Sequence, residues 1–214
     1  MEILSRIIAF AFILILTPFL LLISLFCIIF QGFPILFEQE RLGYHFKTFK
    51  IYKFRSMKFS SGSIITNPND SRITKIGEIL RKTKIDELPQ LFNIIKGEMR
   101  FIGPRPEVKQ YFSKKDFQFL KVVKPGISDF ASIILRNESL ILKKIGGNDP
   151  YKKLLPIKLE LANYYSRRKS FSLDFKLVLI TILSIFFPDF ASKLLMNSEL
   201  SLIVKDLKAI LSKK

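Results

Sequence analysis

The sequence has no tryptophan, one cysteine and one histidine. A lone Cys27 rules out an intrachain disulfide. With His45 the only imidazole, a zinc site of the His/Cys type is excluded. Any metal must then be a hard cation held by oxygens, such as Mg²⁺ on a carboxylate and a substrate phosphate. Acids are scarce: 18 Asp and Glu stand against 35 Lys and Arg in 214 residues, a formal net charge of +17. That balance calls for an anionic partner, whether nucleic acid, anionic lipid or a phosphorylated substrate. There is no internal repeat, no glycine-rich nucleotide fingerprint and no Ser-His-Asp grouping.

Charge of either sign is missing between Arg6 and Glu38, and Ile7 to Phe30 is almost wholly apolar. As a helix at about 1.5 Å per residue this run reaches about 36 Å, enough to cross a bilayer core of about 30 Å. It is too long for a signal peptide and lacks a small-x-small cleavage site. Pro18 at its centre removes a backbone hydrogen bond and predicts a kink, with the Thr17 hydroxyl available to a freed carbonyl. The pattern leaves two readings open: a kinked spanning helix, or a re-entrant segment that enters and leaves by one face. Arg41, Lys47, Lys50, Lys53 and Arg55 place the downstream side in the cytoplasm.

From Phe46 to Phe54 apolar residues alternate with charged ones, which predicts short extended pieces over 31–57. The Ser-, Asn-, Gly- and Pro-containing stretch 58–71 reads as a loop over a site. "SRITKIGEILRKT" puts Ile73, Ile76, Ile79 and Leu80 on one helical face. A second helix is expected to begin near Asp86–Pro89 and stop at Gly97, burying Leu88, Leu91, Phe92 and Ile95. Residues 107–170 read as a lysine-rich helical region broken at 124–126 and 146–150. The apolar run from Leu177 to Phe187 is too short to span a bilayer. The stretch beyond it repeats a basic amphipathic pattern, with Leu202, Ile203, Leu207, Ile210 and Leu211 against Lys205, Lys208, Lys213 and Lys214. Such helices lie in a membrane interface; a core-packed helix has the same pattern.

"KIDELPQLFN" (84–93) places two adjacent acids, Asp86 and Glu87, at a helix start in a very basic chain. There the macrodipole and free N–H groups are expected to lower the Asp86 pKa and keep it ionised. An ionised aspartate can attack phosphorus, and a neighbouring glutamate can hold Mg²⁺. Arg105, between two prolines in "FIGPRP", sits on a stiff turn suited to gripping a phosphate with two parallel hydrogen bonds. Arg81, five residues before the acids, is within reach of the same spot. Alone, the acid pair reads first as a helix cap with dipole charge and no chemistry.

Three ordered strings, "YKFRSM" (52–57), "DELPQLFNIIKGEMRFIGPRP" (86–106) and "VKPGIS" (123–128), together resemble the bacterial sugar transferase family. These are monotopic phosphoglycosyl transferases that act on polyprenyl phosphate. The resemblance runs from the N-terminal apolar segment to about Phe187. It implies Asp86 as the nucleophile that takes the phosphosugar, Glu87 as the Mg²⁺ ligand and Arg105 as a phosphate ligand. Arg81, Lys53 and Arg55 become substrate-phosphate groups, and Thr17-Pro18 becomes the break of a re-entrant membrane helix. Where many relatives follow Pro-Gly-Ile-Thr-Gly with Trp-Ala-Gln and Asn-Gly-Arg, this chain reads "PGISDFASIILRNE", so sugar-contacting residues beyond Gly126 are not carried over.

The expected fold is therefore mostly α with short β pieces. A re-entrant membrane helix (1–36), a cytoplasmic catalytic domain (37–170) and interfacial amphipathic helices (171–214) make up the chain. The resemblance implies transfer of a sugar-1-phosphate from a UDP-sugar to undecaprenyl phosphate with release of UMP, using Mg²⁺. It implies residence in the bacterial inner membrane, facing the cytoplasm, among anionic lipids and downstream glycosyltransferases, with no nucleic acid. Two alternatives stand beside it. One is a non-catalytic basic membrane adaptor or nucleic-acid binder. The other is a glycosyltransferase that releases UDP.

Overall fold

The structure is a computed structural model, and it describes residues 2–58 and 70–212. Most of the loop expected over 58–71 lies outside the described residues. The described residues are mostly helical, with two small two-stranded sheets. The apolar N-terminal run forms α1 (Glu2–Gln31), one helix that continues through Pro18. At about 1.5 Å per residue it is about 45 Å long. It is long and apolar enough to cross a membrane. Thr17 donates its hydroxyl to the Ile13 carbonyl at 2.7 Å. That is its own i−4 carbonyl rather than Leu14's, the one Pro18 leaves without a donor.

Only a narrow seam of α1 meets protein. Ala9, Ile23 and Cys27 are buried, with Ile13, Leu16 and Leu20 partly covered, a 4-3-4-3-4 spacing that keeps one face in register. The first half of the seam packs on Leu91, Ile94 and Met99, the second half on Phe54 and Leu80. The ends are tied as well. Glu2 pairs with Lys124 at 2.8 Å. At the other end Arg55 donates to the carbonyls of Gln31, Gly32 and Phe33, the C-terminal groups a helix leaves open. The remaining faces leave side chains such as Ile7, Ile15, Leu21 and Phe30 exposed.

The alternating segment forms an antiparallel hairpin of β1 (Leu36–Leu42) and β2 (Thr48–Phe54), with Leu36 opposite Phe54 and Leu42 opposite Thr48. Thr74 caps α2 (Lys75–Thr83) through its side chain. Gly77 lies against the Ser56 backbone, where a Cβ would come within 1.9 Å of the Ser56 carbonyl oxygen. This contact and Leu80 form the buried face of α2, while Ile79, expected inside, is exposed. The second predicted helix divides in two. Residues Ile85–Gln90 form a 3₁₀ turn, and α3 (Leu91–Lys96) follows, stopped by Gly97 at φ 77°. The tighter turn rotates the helix relative to a continuous α pattern. Asn93 and Ile94 are therefore fully buried, while Phe92 is exposed.

Two short strands, β3 (Arg100–Ile102) and β4 (Gly126–Ser128), pair in parallel, so the expected break at 124–126 leads into a strand. Then come α4 (Phe130–Ile134), α5 (Glu138–Ile145), α6 (Pro150–Arg168), α7 (Phe171–Phe186), α8 (Pro188–Leu195) and α9 (Ser198–Ser212). Leu154, Leu161, Tyr165, Leu177 and Leu200 anchor the main core they share. Each fully buried large aliphatic there contributes about 1.5–3 kcal/mol.

Helix α7 buries Leu177, Ile180 and Ser184 and turns Phe171, Phe175, Leu179, Ile182 and Phe186 outward as one stripe. Phe187, Phe190 and Leu194 extend it onto α8. Helix α9 departs from the interfacial expectation. Leu200 and Leu207 lie in the main core, with Ile203 and Leu211 packed against it, and Leu202 is exposed. Its apolar face is spent on the protein, so it is a core-packed helix.

Candidate active site

Lys84 ends α2 in the left-handed region (φ 63°, ψ 13°), uncommon for a residue with a Cβ. The reversal starts the 3₁₀ turn and aims its first acids inward. Asp86 and Glu87 are 6% and 8% exposed. The opposite wall is β2, and Asn93 fixes it there. Its amide donates to the Lys50 carbonyl at 2.7 Å and accepts from the Tyr52 N–H at 3.2 Å. With that register set, Lys53 reaches Glu87 Oε1 at 3.0 Å.

Arg105 approaches from a third side on a backbone held at successive points. The Gly126 N–H donates to the Pro104 carbonyl, and the Arg105 N–H donates to Asp129 Oδ2 at 3.1 Å. Arg41 donates to the Pro106 carbonyl at 3.3 Å, and the Leu42 N–H to the Glu107 carbonyl at 2.8 Å. So fixed, the Arg105 guanidinium takes Glu87 in a fork, Nη2 to Oε1 at 2.7 Å and Nη1 to Oε2 at 3.3 Å.

The two acids have opposite electrostatics. Burial, then the Glu87 charge, raises the Asp86 carboxyl above its ordinary value. This corrects the expected lowering by a helix dipole: a 3₁₀ turn under protein offers little dipole, and desolvation wins. Burial also works to raise Glu87, but Arg105, Lys53 and Lys84 outweigh it and hold it well below the usual carboxylate range. Burial pushes Lys53 down to about 8 against the pull of Glu87. Asp86 Oδ1 is buried with no hydrogen-bond partner among the described residues. Leaving a buried polar atom unpaired costs about 1–3 kcal/mol, so such atoms mark places where something else binds.

These groups form one end of a cavity of about 480 Å³. Lys53, Arg81, Asp86, Glu87 and Arg105 line it there. The far end is lined by a buried network that sequence reading missed. Lys158 meets Glu107 at 2.9 Å, Glu138 at 3.4 Å and the Tyr151 hydroxyl at 2.6 Å, and Tyr151 donates to Glu107.

The predicted residues therefore divide. Asp86, Glu87, Arg105, Arg81 and Lys53 share the cavity, with Arg81 Nη1 3.6 Å from Met57 Sδ. Arg55 also touches the cavity, but its terminal nitrogens hold the end of α1. Thr17 and Pro18 lie on α1, off the cavity wall. Glu87, expected to hold Mg²⁺, has both oxygens engaged by Arg105, and the oxygen without a partner among the described residues is on Asp86. Among the described residues no group of three or more His, Cys, Asp or Glu stands ready for a metal. Glu87 Oε2 accepts one bond, from Arg105 at 3.3 Å, which leaves it a lone pair; with the open Asp86 oxygen it fits Mg²⁺ when substrate phosphates complete the shell.

Residues 1–188 match the description "Bacterial sugar transferase". Over 160 residues, 71% of this chain, it is 36% identical to a UDP-N-acetylgalactosamine-undecaprenyl-phosphate N-acetylgalactosaminephosphotransferase of Aeromonas hydrophila. It is 38% identical over 157 residues to the uncharacterized sugar transferase EpsL of Bacillus subtilis (strain 168). It is 37% identical over 158 residues to a UDP-glucose:undecaprenyl-phosphate glucose-1-phosphate transferase of Klebsiella pneumoniae. The matched segment spans 35%, 69% and 32% of those relatives. With the match covering nearly the whole chain from its first residue, the protein belongs to the bacterial sugar transferase family.

Proposed function

We propose that this protein transfers a sugar-1-phosphate from a UDP-sugar to undecaprenyl phosphate and releases UMP. One observation carries the chemistry: an aspartate oxygen, buried and unpartnered, at the cationic end of a cavity. Relatives whose names specify undecaprenyl-phosphate sugar phosphotransfer support the acceptor. Those names differ in the sugar, so the donor is left as a UDP-sugar. They lend no support to a basic adaptor or nucleic-acid binder.

The proposed route has two displacements. Asp86 attacks the sugar-linked phosphorus; the bond to the bridging oxygen breaks, and UMP leaves with the electron pair. The lipid phosphate then attacks the aspartyl-phosphosugar, and Asp86 returns as a carboxylate. Desolvation makes Asp86 a stronger nucleophile than a solvated carboxylate. Arg105 and Arg81 face charge that builds on phosphate oxygens, and Lys53 steadies the Glu87 carboxylate beside them. Mg²⁺, when bound by Glu87 and the substrate phosphates, would neutralise phosphate charge.

Placement at a membrane follows from α1. Both its ends are docked on the same domain, which supports a helix that stays on one side over one that crosses the bilayer away from that domain. We read α1 as entering and leaving by the cytoplasmic face of the inner membrane. The outward stripe of α7 and α8 rests in the interface among anionic lipids. Later glycosyltransferases would extend the lipid-linked product there.

The test is purified protein given UDP-sugar without acceptor. Wild type releases UMP in an amount no greater than enzyme and carries a phosphosugar on the peptide containing Asp86. Asp86→Asn keeps its fold and membrane association and loses turnover by an amount worth about 4 kcal/mol or more. Near-normal turnover by that variant refutes the covalent route, and UDP as product refutes phosphosugar transfer.

A further inference from the structure

The reaction groups occupy only part of the cavity. Arg105 and Glu107 are two residues apart on the segment that follows β3. Both line the cavity. Beyond Glu107 the wall continues through Lys158 and Tyr151 to Ser132, Arg136, Glu138 and Ser139.

Charge goes from net positive to balanced along this path. The end with Arg105 has Lys53, Arg81 and Lys84 around its two acids. The far end sets two carboxylates, Glu107 and Glu138, against two cations, Lys158 and Arg136. Glu107 is saturated by Lys158 and Tyr151. Glu138 is not: Lys158 reaches only Oε1, at 3.4 Å, and its side chain is 31% exposed. Oε2 takes no hydrogen bond from the described residues. With its charges balanced, the far end does not draw phosphate as the first end does, and it suits a neutral group. An ionised carboxylate with a free oxygen accepts from hydroxyls, with charge-assisted bonds. Ser139, one residue on, adds a hydroxyl to the same wall. Arg41, between the two ends, has a buried Nε with no partner among the described residues, a second polar atom on the wall left open.

We propose that this far half is a recognition subsite for a hydroxyl-bearing ring of the donor, with Glu138 accepting from adjacent hydroxyls. The inference rests on the nucleotide-sugar reading above. Two parts of such a donor have this chemistry: the transferred sugar and the ribose of the nucleotide.

The experiment compares wild type and Glu138→Gln, which keeps shape and removes charge. Binding of UMP and 2′-deoxy-UMP is measured by calorimetry, and KM and kcat across a panel of UDP-hexoses and their 4-epimers. If the subsite holds the transferred sugar, UMP binding is unchanged, KM for the preferred donor rises about tenfold, and discrimination between epimers narrows. If it holds ribose, UMP binding weakens about tenfold and the preference for UMP over its 2′-deoxy form is lost. Either result supports the subsite. Affinities and KM values all within about twofold of wild type overturn it, as does a fall in kcat alone. Ser139→Val, which fills the same end, serves if Glu138→Gln does not fold; it should raise donor KM, and an unchanged KM overturns the subsite. A wild type that binds UMP but turns over no UDP-sugar counts against the reaction, separately from the subsite.

Discussion

Removing the Lys158 ammonium is the sharpest test of how the cavity wall is held. Lys158 and Glu107 are both 6% exposed, so water screens neither. Lys158→Met fits the space and deletes two ion pairs, at 2.9 and 3.4 Å, and the 2.6 Å bond to Tyr151. Glu107 is then left buried with the Tyr151 hydroxyl. Breaking a buried pair from one side costs about 3–5 kcal/mol, which in a chain of this size lowers the melting midpoint by roughly 10 °C. Glu107→Gln combined with Lys158→Met should recover at least half of that loss, because no charge stays stranded.

The pH dependence has a definite sign. Burial works to raise the Glu107 carboxyl, but Lys158 and the Tyr151 bond hold it below its ordinary value. Its contribution is present above the unfolded carboxylate pKa and is lost as pH falls through the folded one. Burial works to lower Lys158, but Glu107 and Glu138 raise it. Its contribution is present below the unfolded lysine pKa and is lost as pH rises through the folded one. Wild-type stability from this pair should thus be flat between about pH 5 and 10. In Lys158→Met the stranded Glu107 takes up a proton more readily, so that variant should be more stable at pH 5 than at pH 8. Thermal unfolding in detergent followed by intrinsic tyrosine fluorescence reads both effects. A loss below about 1 kcal/mol, or a variant deficit independent of pH, refutes the reasoning.

EDTA should abolish UMP release and added Mg²⁺ restore it; full activity in EDTA removes the metal from the proposal. A cysteine at Ile3, in a Cys27→Ser background, should react with impermeant thiol reagents only from the cytoplasmic side. Labelling from outside intact cells would instead make α1 a spanning helix.

Legibility in the sequence followed the range of the interaction that decides each feature. The hairpin, the start of α2 and the stop at Gly97 rest on neighbouring residues, and local pattern revealed them. The phase of α3 did not follow, because the 3₁₀ turn through Pro89 resets it. Phe92 consequently exchanges places with Asn93. Asp86 and Glu87 were recognisable as a pair, yet their electrostatics are opposite because Arg105 and Lys53, far along the chain, engage only one of them. Glu107, Tyr151 and Lys158 carry no local signature. They meet across 44 and 51 positions of sequence, and each alone looks like a surface residue on a basic chain. Helix α9 shares its pattern with interfacial helices, and only the presence of α5 and α6 against it shows that its apolar face is already covered.

An anchor is ordinarily interchangeable: a tether can be cut away, or swapped for another hydrophobic segment, without harm to what it holds. Helix α1 is not of that kind. Its seam covers Leu91, Ile94 and Met99 at one end and Phe54 and Leu80 at the other, and these side chains lie directly behind the strand and the helices that carry Lys53, Arg81 and the acid pair. Clipping residues 1–31 to obtain a water-soluble protein would therefore bare two hydrophobic clusters and take from Arg55 the Gln31 carbonyl it holds. Grafting the catalytic portion onto a foreign membrane helix would leave the same wound. Solubilisation of this protein has to proceed by repainting the outward faces of α1 with polar side chains while its inner seam is kept.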